Sequence, residues 1–136
     1  MALVFTIPLL LLIPIYFISN KLNSNHQISH PEDKGYKWGY FQGITIIVLN
    51  ILMSILSYFY VHNFPRLLDE YGYDSDITLH ISAFGIVVSL IFIVIGYGVC
   101  KRDRSSLILF TIFTFNPVIW VINYFYIKRR PYLAKK

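Results

Sequence analysis

Two histidines stand four residues apart, at His26 and His30, and Glu32 follows them closely. An i, i+4 histidine pair on a helix face can chelate zinc or copper, and a nearby carboxylate can supply the third ligand. Pro31 ends any helix at this point, and no second His pair or Cys pair accompanies the motif. Solvated loop residues are therefore the favoured interpretation, and a metal site on His26, His30 and Glu32 is the alternative.

The other two histidines, His62 and His80, each border a long apolar segment. Two imidazoles on neighbouring helices could hold a haem iron as axial ligands. Small residues along the same segments instead favour close helix contact, which leaves little room for a haem. We therefore expect no cofactor, and a bis-histidine haem on His62 and His80 is the alternative.

Enzyme signatures are missing from the sequence, which has no Gly-rich phosphate loop, no G-x-S-x-G, no HExxH and no C-x-x-C. Four acids cluster between two apolar segments, at Asp69, Glu70, Asp74 and Asp76. Such a cluster could hold a divalent cation in a phospholipid-processing site, although a solvated acidic loop is the commoner explanation. We predict a chain without catalytic residues, and a metal- or haem-dependent membrane enzyme is the further alternative.

The charged residues are confined to short segments of the 136-residue chain, and residues 1–20, 38–65, 77–100 and 105–127 contain no Asp, Glu, Lys or Arg. A soluble helix needs a hydrated face, whereas about 20 apolar residues suffice to cross a bilayer. This pattern excludes a soluble globule and a disordered chain. The sequence predicts an all-α, polytopic integral membrane protein with a single membrane domain, residues 1–136. We expect a bundle of four transmembrane helices, with spans at about 3–18, 40–61, 77–99 and 107–127.

The fourth predicted span contains Asn116-Pro117, which could kink it or turn it back as a re-entrant hairpin. With four full crossings the Lys and Arg residues divide six to six between the two sides, so the positive-inside rule gives no orientation. The dense basic tail then favours cytoplasmic termini. A hairpin changes the division to eleven to one, but irregular backbone at that depth is unfavourable unless protein covers it. We therefore favour a simple span, straight or kinked.

Small and amide side chains recur at helical spacing along three of the spans. Helices in lipid associate through small residues and buried polar groups, so we predict that these stripes pack against each other or against a partner. They are Gly39, Gly43, Asn50, Ser54 and Ser57 in the second span, Ser82, Gly85, Ser89 and Gly96 in the third, and Asn116, Trp120 and Asn123 in the fourth.

Basic residues border the apolar runs, where anchors for phospholipid headgroups belong. They are Lys101, Arg102, Arg104, Lys128, Arg129 and Arg130, and their placement favours membrane lipids over nucleic acid as partners of a chain with net charge +5. We expect a small protein of the bacterial inner (plasma) membrane that acts by helix–helix interaction with another integral membrane protein or with itself. It would be an accessory or stabilising subunit or an immunity-type inhibitor. A homo-oligomeric pore or small-solute channel is the alternative.

Overall fold

Five α-helices and one short 3-10 helix form the part of the chain that the structure describes. It is a computed structural model, and it describes residues 2–63, 70, 72 and 75–134. The helices are α1 (Ala2–Ser29), α2 (Lys37–Asn63), α3 (Ser75–Cys100), α4 (Arg104–Phe113) and α5 (Pro117–Lys128), followed by the 3-10 helix Pro131–Ala134. No strand occurs among these residues, so the all-α prediction is confirmed for them.

Two of the described helices are long and apolar enough to cross a membrane, over Lys37–Phe59 in α2 and Leu79–Cys100 in α3. They match the second and third predicted spans. The first predicted span lies within α1, which continues as one helix of 28 residues to Ser29, through much of the segment expected to be a loop. In this extension the Ser19 and Ser29 hydroxyls donate to backbone carbonyls four residues earlier, and Pro31 follows where the helix has ended.

The tightest helix pair is α2 and α3, which run antiparallel. A Cβ built on Gly43 would lie 2.9 Å from the Gly96 carbonyl oxygen and 2.6 Å from Cys100 Sγ, and a Cβ on Gly96 would lie 3.0 Å from the Gly43 carbonyl oxygen. Only residues without a side chain allow two helix backbones to approach this closely. The start of α2 is therefore held beside the end of α3.

The fourth predicted span is two helices that fold back on each other, because Asn116 and Pro117 stop α4 from continuing. A residue before proline disfavours the helical conformation, and the Asn116 side chain instead caps α5 by accepting from the Val118 and Ile119 amides. Phe115 has a φ of 47°, a left-handed conformation that reverses the chain. The simple span favoured from the sequence is wrong here, and the hairpin alternative describes the path of the chain.

The buried core lies at one end of the bundle, where the residues before α2 meet the end of α3 and the start of α4. It consists of Tyr36, Tyr40, Ile95, Val99, Leu107 and Leu133, with Phe110, Tyr126 and Ile127 packed against it. Elsewhere the outer faces of α2 and α3 expose large apolar side chains, such as Phe84 and Val94. This distribution is typical of helices that face lipid rather than water.

The close approach of α2 and α3 predicts opposite effects for two glycine substitutions. Gly43→Ala should lower the free energy of unfolding by about 1–3 kcal/mol, because the new Cβ would meet the Gly96 carbonyl oxygen and Cys100. Gly85→Ala should be neutral or raise it by up to about 1 kcal/mol, because no described atom lies within 4 Å of the new Cβ and alanine is the better helix former. Denaturant unfolding of the purified chain in mild detergent measures both, and equal effects would contradict this interface.

Candidate functional site

Four segments meet at one end of the bundle: the C-terminal half of α1, residues 30–37, the turn at 101–103 and the end of α5. We call this region the basic end, because the basic side chains of Lys37, Arg102 and Arg130 take part in the contacts that join these segments.

A polar network joins α1 to the turn after α3. Arg102 donates from one guanidinium nitrogen to Asp33 Oδ2 at 2.8 Å, and His26 Nε2 lies 3.1 Å from the same oxygen. The second guanidinium nitrogen of Arg102 contacts the His26 ring. Arg102 itself has a φ of 65°, an uncommon conformation for a residue with a side chain, and it reverses the chain before α4. The network therefore ties three separate parts of the sequence together.

The Arg102 guanidinium that donates to Asp33 holds the pKa of that carboxyl below its ordinary value, and His26 adds to the effect against the opposing influence of burial. A carboxyl with a lowered folded-state pKa stabilises the fold above its ordinary pKa. This contribution disappears as the pH falls through the lowered value.

Arg130 closes the basic end from the C-terminal side. Its Nε and one terminal nitrogen donate to the Gly35 carbonyl oxygen at 3.0 and 2.8 Å, and its guanidinium lies 3.6 Å from the centre of the Tyr126 ring. These contacts hold the residues just after α5 against Gly35, which lies two residues before the start of α2. The end of the hairpin thus lies at the same end of the bundle as its beginning, Arg104.

Tyr36 fills the centre of the basic end and is fully buried. Its ring meets the Tyr40 ring edge-on at 5.2 Å, and its backbone N–H donates to the Asn23 side chain of α1. A Cβ on Gly39 would overlap the Tyr36 ring, so Gly39 is the residue that makes room for it. Burial raises the pKa of the Tyr36 hydroxyl, which keeps it neutral.

Asn123 holds the hairpin to α2 through its side-chain amide. Its oxygen accepts from Trp38 Nε1 at 2.9 Å, its nitrogen donates to Thr111 Oγ1 at 2.8 Å, and the residue is fully buried. Both ends of the amide are therefore satisfied, one by α2 and one by α4. Such a paired amide is the kind of polar contact that joins helices where water is scarce.

The other stripe residues divide between internal packing and the surface. Gly43 and Gly96 pack against each other, Ser89 is buried, and Asn50 donates to the Ile46 carbonyl of its own helix. Gly85 has open space around it among the described residues, so the internal packing of α3 does not use this position. Ser54, Ser57 and Ser82 are half-buried, Trp120 is 43% exposed, and Asn116 is an exposed helix cap.

The suggested metal site is not assembled as a three-ligand set. His26 and His30 stack with ring centres 4.7 Å apart, Glu32 is exposed, and the Arg102 cation occupies the edge of the His26 ring. No group of three or more potential metal ligands occurs among the residues that the structure describes. A guanidinium beside His26 also opposes a second cation there by like-charge repulsion.

The two suggested haem ligands lie at the other end of α2 and α3, and both are exposed. His62 stacks on Tyr58 of its own helix at 4.5 Å between ring centres. The acidic cluster falls largely outside the described residues, which include Glu70 but not Asp69 or Asp74, and the Asp76 side chain is likewise not described.

Two cavities adjoin the start of α2 and share Trp38 and Phe41 as lining residues. The outer cavity, of about 530 Å³, lies at the basic end and includes Tyr16, Lys37, Tyr126 and Arg130 in its lining. The inner cavity, of about 380 Å³, lies between α2, α3 and the hairpin.

The six predicted headgroup residues occupy three different environments. Arg130 lines the outer cavity, Arg102 is in the polar network, and the other four are exposed: Lys101, Arg104, Lys128 and Arg129.

Gln42 lines the inner cavity and is a residue that the sequence interpretation missed. It is 5% exposed, and neither its amide nitrogen nor its amide oxygen has a hydrogen-bond partner among the described residues. Leaving a buried polar group unpaired costs about 1–3 kcal/mol. The sequence did carry an indication, because Gln42 is an amide inside an uncharged run, one helical turn beyond Trp38.

Comparison of this chain with known protein families, with curated proteins and with solved structures finds no match. The proposed function therefore rests on the geometry of the chain itself.

The lowered pKa of Asp33 predicts a loss of stability in acid. The thermal midpoint in detergent should fall as the pH drops below about 4, because protonation removes the charge that Arg102 holds. Asp33→Asn should be less stable than the native chain at pH 7 and should show a smaller fall on acidification. Glu32→Gln, at the exposed neighbouring carboxylate, is the matched control and should behave as the native chain does.

Proposed function

We propose that this chain is a small integral membrane protein of the bacterial inner (plasma) membrane that binds another membrane protein through helix packing. It would act as an accessory or stabilising subunit or as an immunity-type inhibitor, without catalytic residues of its own. The observation that carries this proposal is Gly85, which lies in α3 and has no atom of the described residues within 4 Å of where its Cβ would be.

Gly85 forms a gap between projecting apolar side chains. Ile81 and Phe84 are 66% and 71% exposed, and Ile81 lies one turn before Gly85 on the same helix face. A small residue between larger ones leaves a groove, and the backbone or a ridge of side chains of a second helix can pack into it. The internal contact of α3 is already made by Gly96, so Gly85 is free to serve an external contact.

The proposed topology includes α2 and α3 as full crossings, α1 as a third crossing through its apolar half, and α4–α5 as a re-entrant hairpin. Nine described basic residues belong to the segments at the basic end: Lys21, Lys34, Lys37, Lys101, Arg102, Arg104, Lys128, Arg129 and Arg130. By the positive-inside rule, this end would lie at the cytoplasmic face. Contacts from α2 and α3 cover the hairpin on its inner side, which offsets the cost of irregular backbone inside the bilayer.

Single cysteines test this topology in a Cys100→Ser background. Lys34→Cys, Arg104→Cys and Lys128→Cys should all react with a membrane-impermeant maleimide from the same side, and His62→Cys should react from the opposite side. Four full crossings would instead place position 128 on the same side of the membrane as position 62. That outcome would contradict the hairpin.

Gly85→Leu tests the proposed partner surface. Because the leucine would fill the gap, the amount of any partner that co-purifies in mild detergent should fall about tenfold. The stability of the chain itself should stay nearly unchanged, since nothing inside it contacts this position.

Ala83→Leu is the matched control for this experiment. Residue 83 is also small, and it is exposed, but it lies on a different face of α3, so the partner should be retained. Equal recovery of the partner with Gly85→Leu would contradict the proposal. Solute flux through liposomes that contain the chain alone would favour the pore instead.

A further inference from the structure

We propose that the outer and inner cavities together bind one anionic glycerophospholipid. Its phosphate would lie at Lys37 and Arg130 in the outer cavity, and one acyl chain would extend past Trp38 and Phe41 into the inner cavity. The lipid site lies at the basic end, away from Gly85, and lipid binding there does not depend on the protein partner proposed above.

The outer cavity carries positive charge that no described carboxylate neutralises. Lys37 and Arg130 both line it, no acidic residue does, and neither cation has a carboxylate partner among the described residues. A phosphate provides the complementary negative charge, and anionic lipids attract basic residues near the membrane surface.

Both cations are held in place by uncharged groups. Lys37 Nζ donates to the Tyr16 hydroxyl at 2.9 Å, and Arg130 donates to the Gly35 carbonyl oxygen while its guanidinium lies on the Tyr126 ring. Such contacts restrict the two side chains without cancelling their charge. A phosphate would therefore meet donors that already have few conformations to lose.

Gln42 provides the second, independent observation. It lies five residues beyond Lys37, which is about 7.5 Å further along α2 at 1.5 Å per residue. In a glycerophospholipid the ester carbonyls lie between the phosphate and the acyl chains. The buried Gln42 amide nitrogen, which has no partner among the described residues, can donate to such a carbonyl.

Beyond Gln42 the walls of the inner cavity suit an acyl chain. They include Phe92 of α3, Phe110 of α4 and Ile119 of α5, so every element around the cavity presents an apolar side chain. A free phosphate would use the cations but would leave this apolar space unfilled. An uncharged lipid would fill the space but would leave the cations unpaired. An anionic phospholipid matches both features.

Fluorescence quenching tests the lipid site in the full chain, because Trp38 lines both cavities. The second tryptophan is removed by Trp120→Phe, and the protein is reconstituted in phosphatidylcholine vesicles that contain increasing fractions of phosphatidylglycerol brominated on its acyl chains. Half-maximal quenching should occur at a mole fraction about fivefold lower than with brominated phosphatidylcholine. Superimposable curves for the two lipids would overturn the proposal.

Two variants and one control separate the contributions of the headgroup and the ester region. Lys37→Gln should remove most of the preference for phosphatidylglycerol, whereas Gln42→Leu should weaken quenching by both lipids. Lys21→Gln, at an exposed basic residue outside both cavities, should keep the preference. An unchanged preference with Lys37→Gln would overturn the proposal. Displacement of the brominated lipid by millimolar inorganic phosphate would also overturn it, since the site would then be one for free phosphate.

Discussion

The close approach of α2 and α3 at Gly43 and Gly96 is the constraint on which the rest of the structure depends. It places Cys100 beside the first turns of α2 and therefore brings the turn at Arg102 next to Tyr36 and Asp33. The same approach fixes where α4 begins. A larger side chain at either glycine would separate the helices and move each of these contacts at once.

The hairpin of α4 and α5 follows from that arrangement and from a few polar contacts. Asn123 connects Thr111 to Trp38, and Arg130 connects the end of α5 to Gly35. In an apolar environment a satisfied amide or guanidinium contact has no water to compete with it, so a small number of such contacts can hold short helices. Neither arm of the hairpin is long enough to cross a bilayer alone. The first arm packs against α3, and the second is joined to α2 through Trp38.

The basic end combines a polar network with an adjoining cavity lined by two cations. Its polar network of His26, Asp33 and Arg102 joins the segments, while Lys37 and Arg130 remain available to an anion in the adjoining cavity. The apolar outer face of α3 with its gap at Gly85 faces away from the internal packing. A structural core, a charged cavity and an open helix face thus occupy different parts of a chain of 136 residues.

Charge-free runs were enough to predict an all-helical chain and the positions of α2 and α3, because the cost of placing charges in lipid is a local property of each segment. Spacing alone also identified Gly43 and Gly96 as packing residues, but it could not separate them from Gly85, since that depends on which face a neighbour covers. Asn116-Pro117 indicated a kink or a turn in the fourth predicted span. Only the contacts of Asn123 and Arg130 show that the chain turns back there. The pairing of Asp33 with Arg102, 69 residues later, depends on three-dimensional neighbours that no local pattern encodes. The same holds for the Gln42 amide, which has no partner among the described residues.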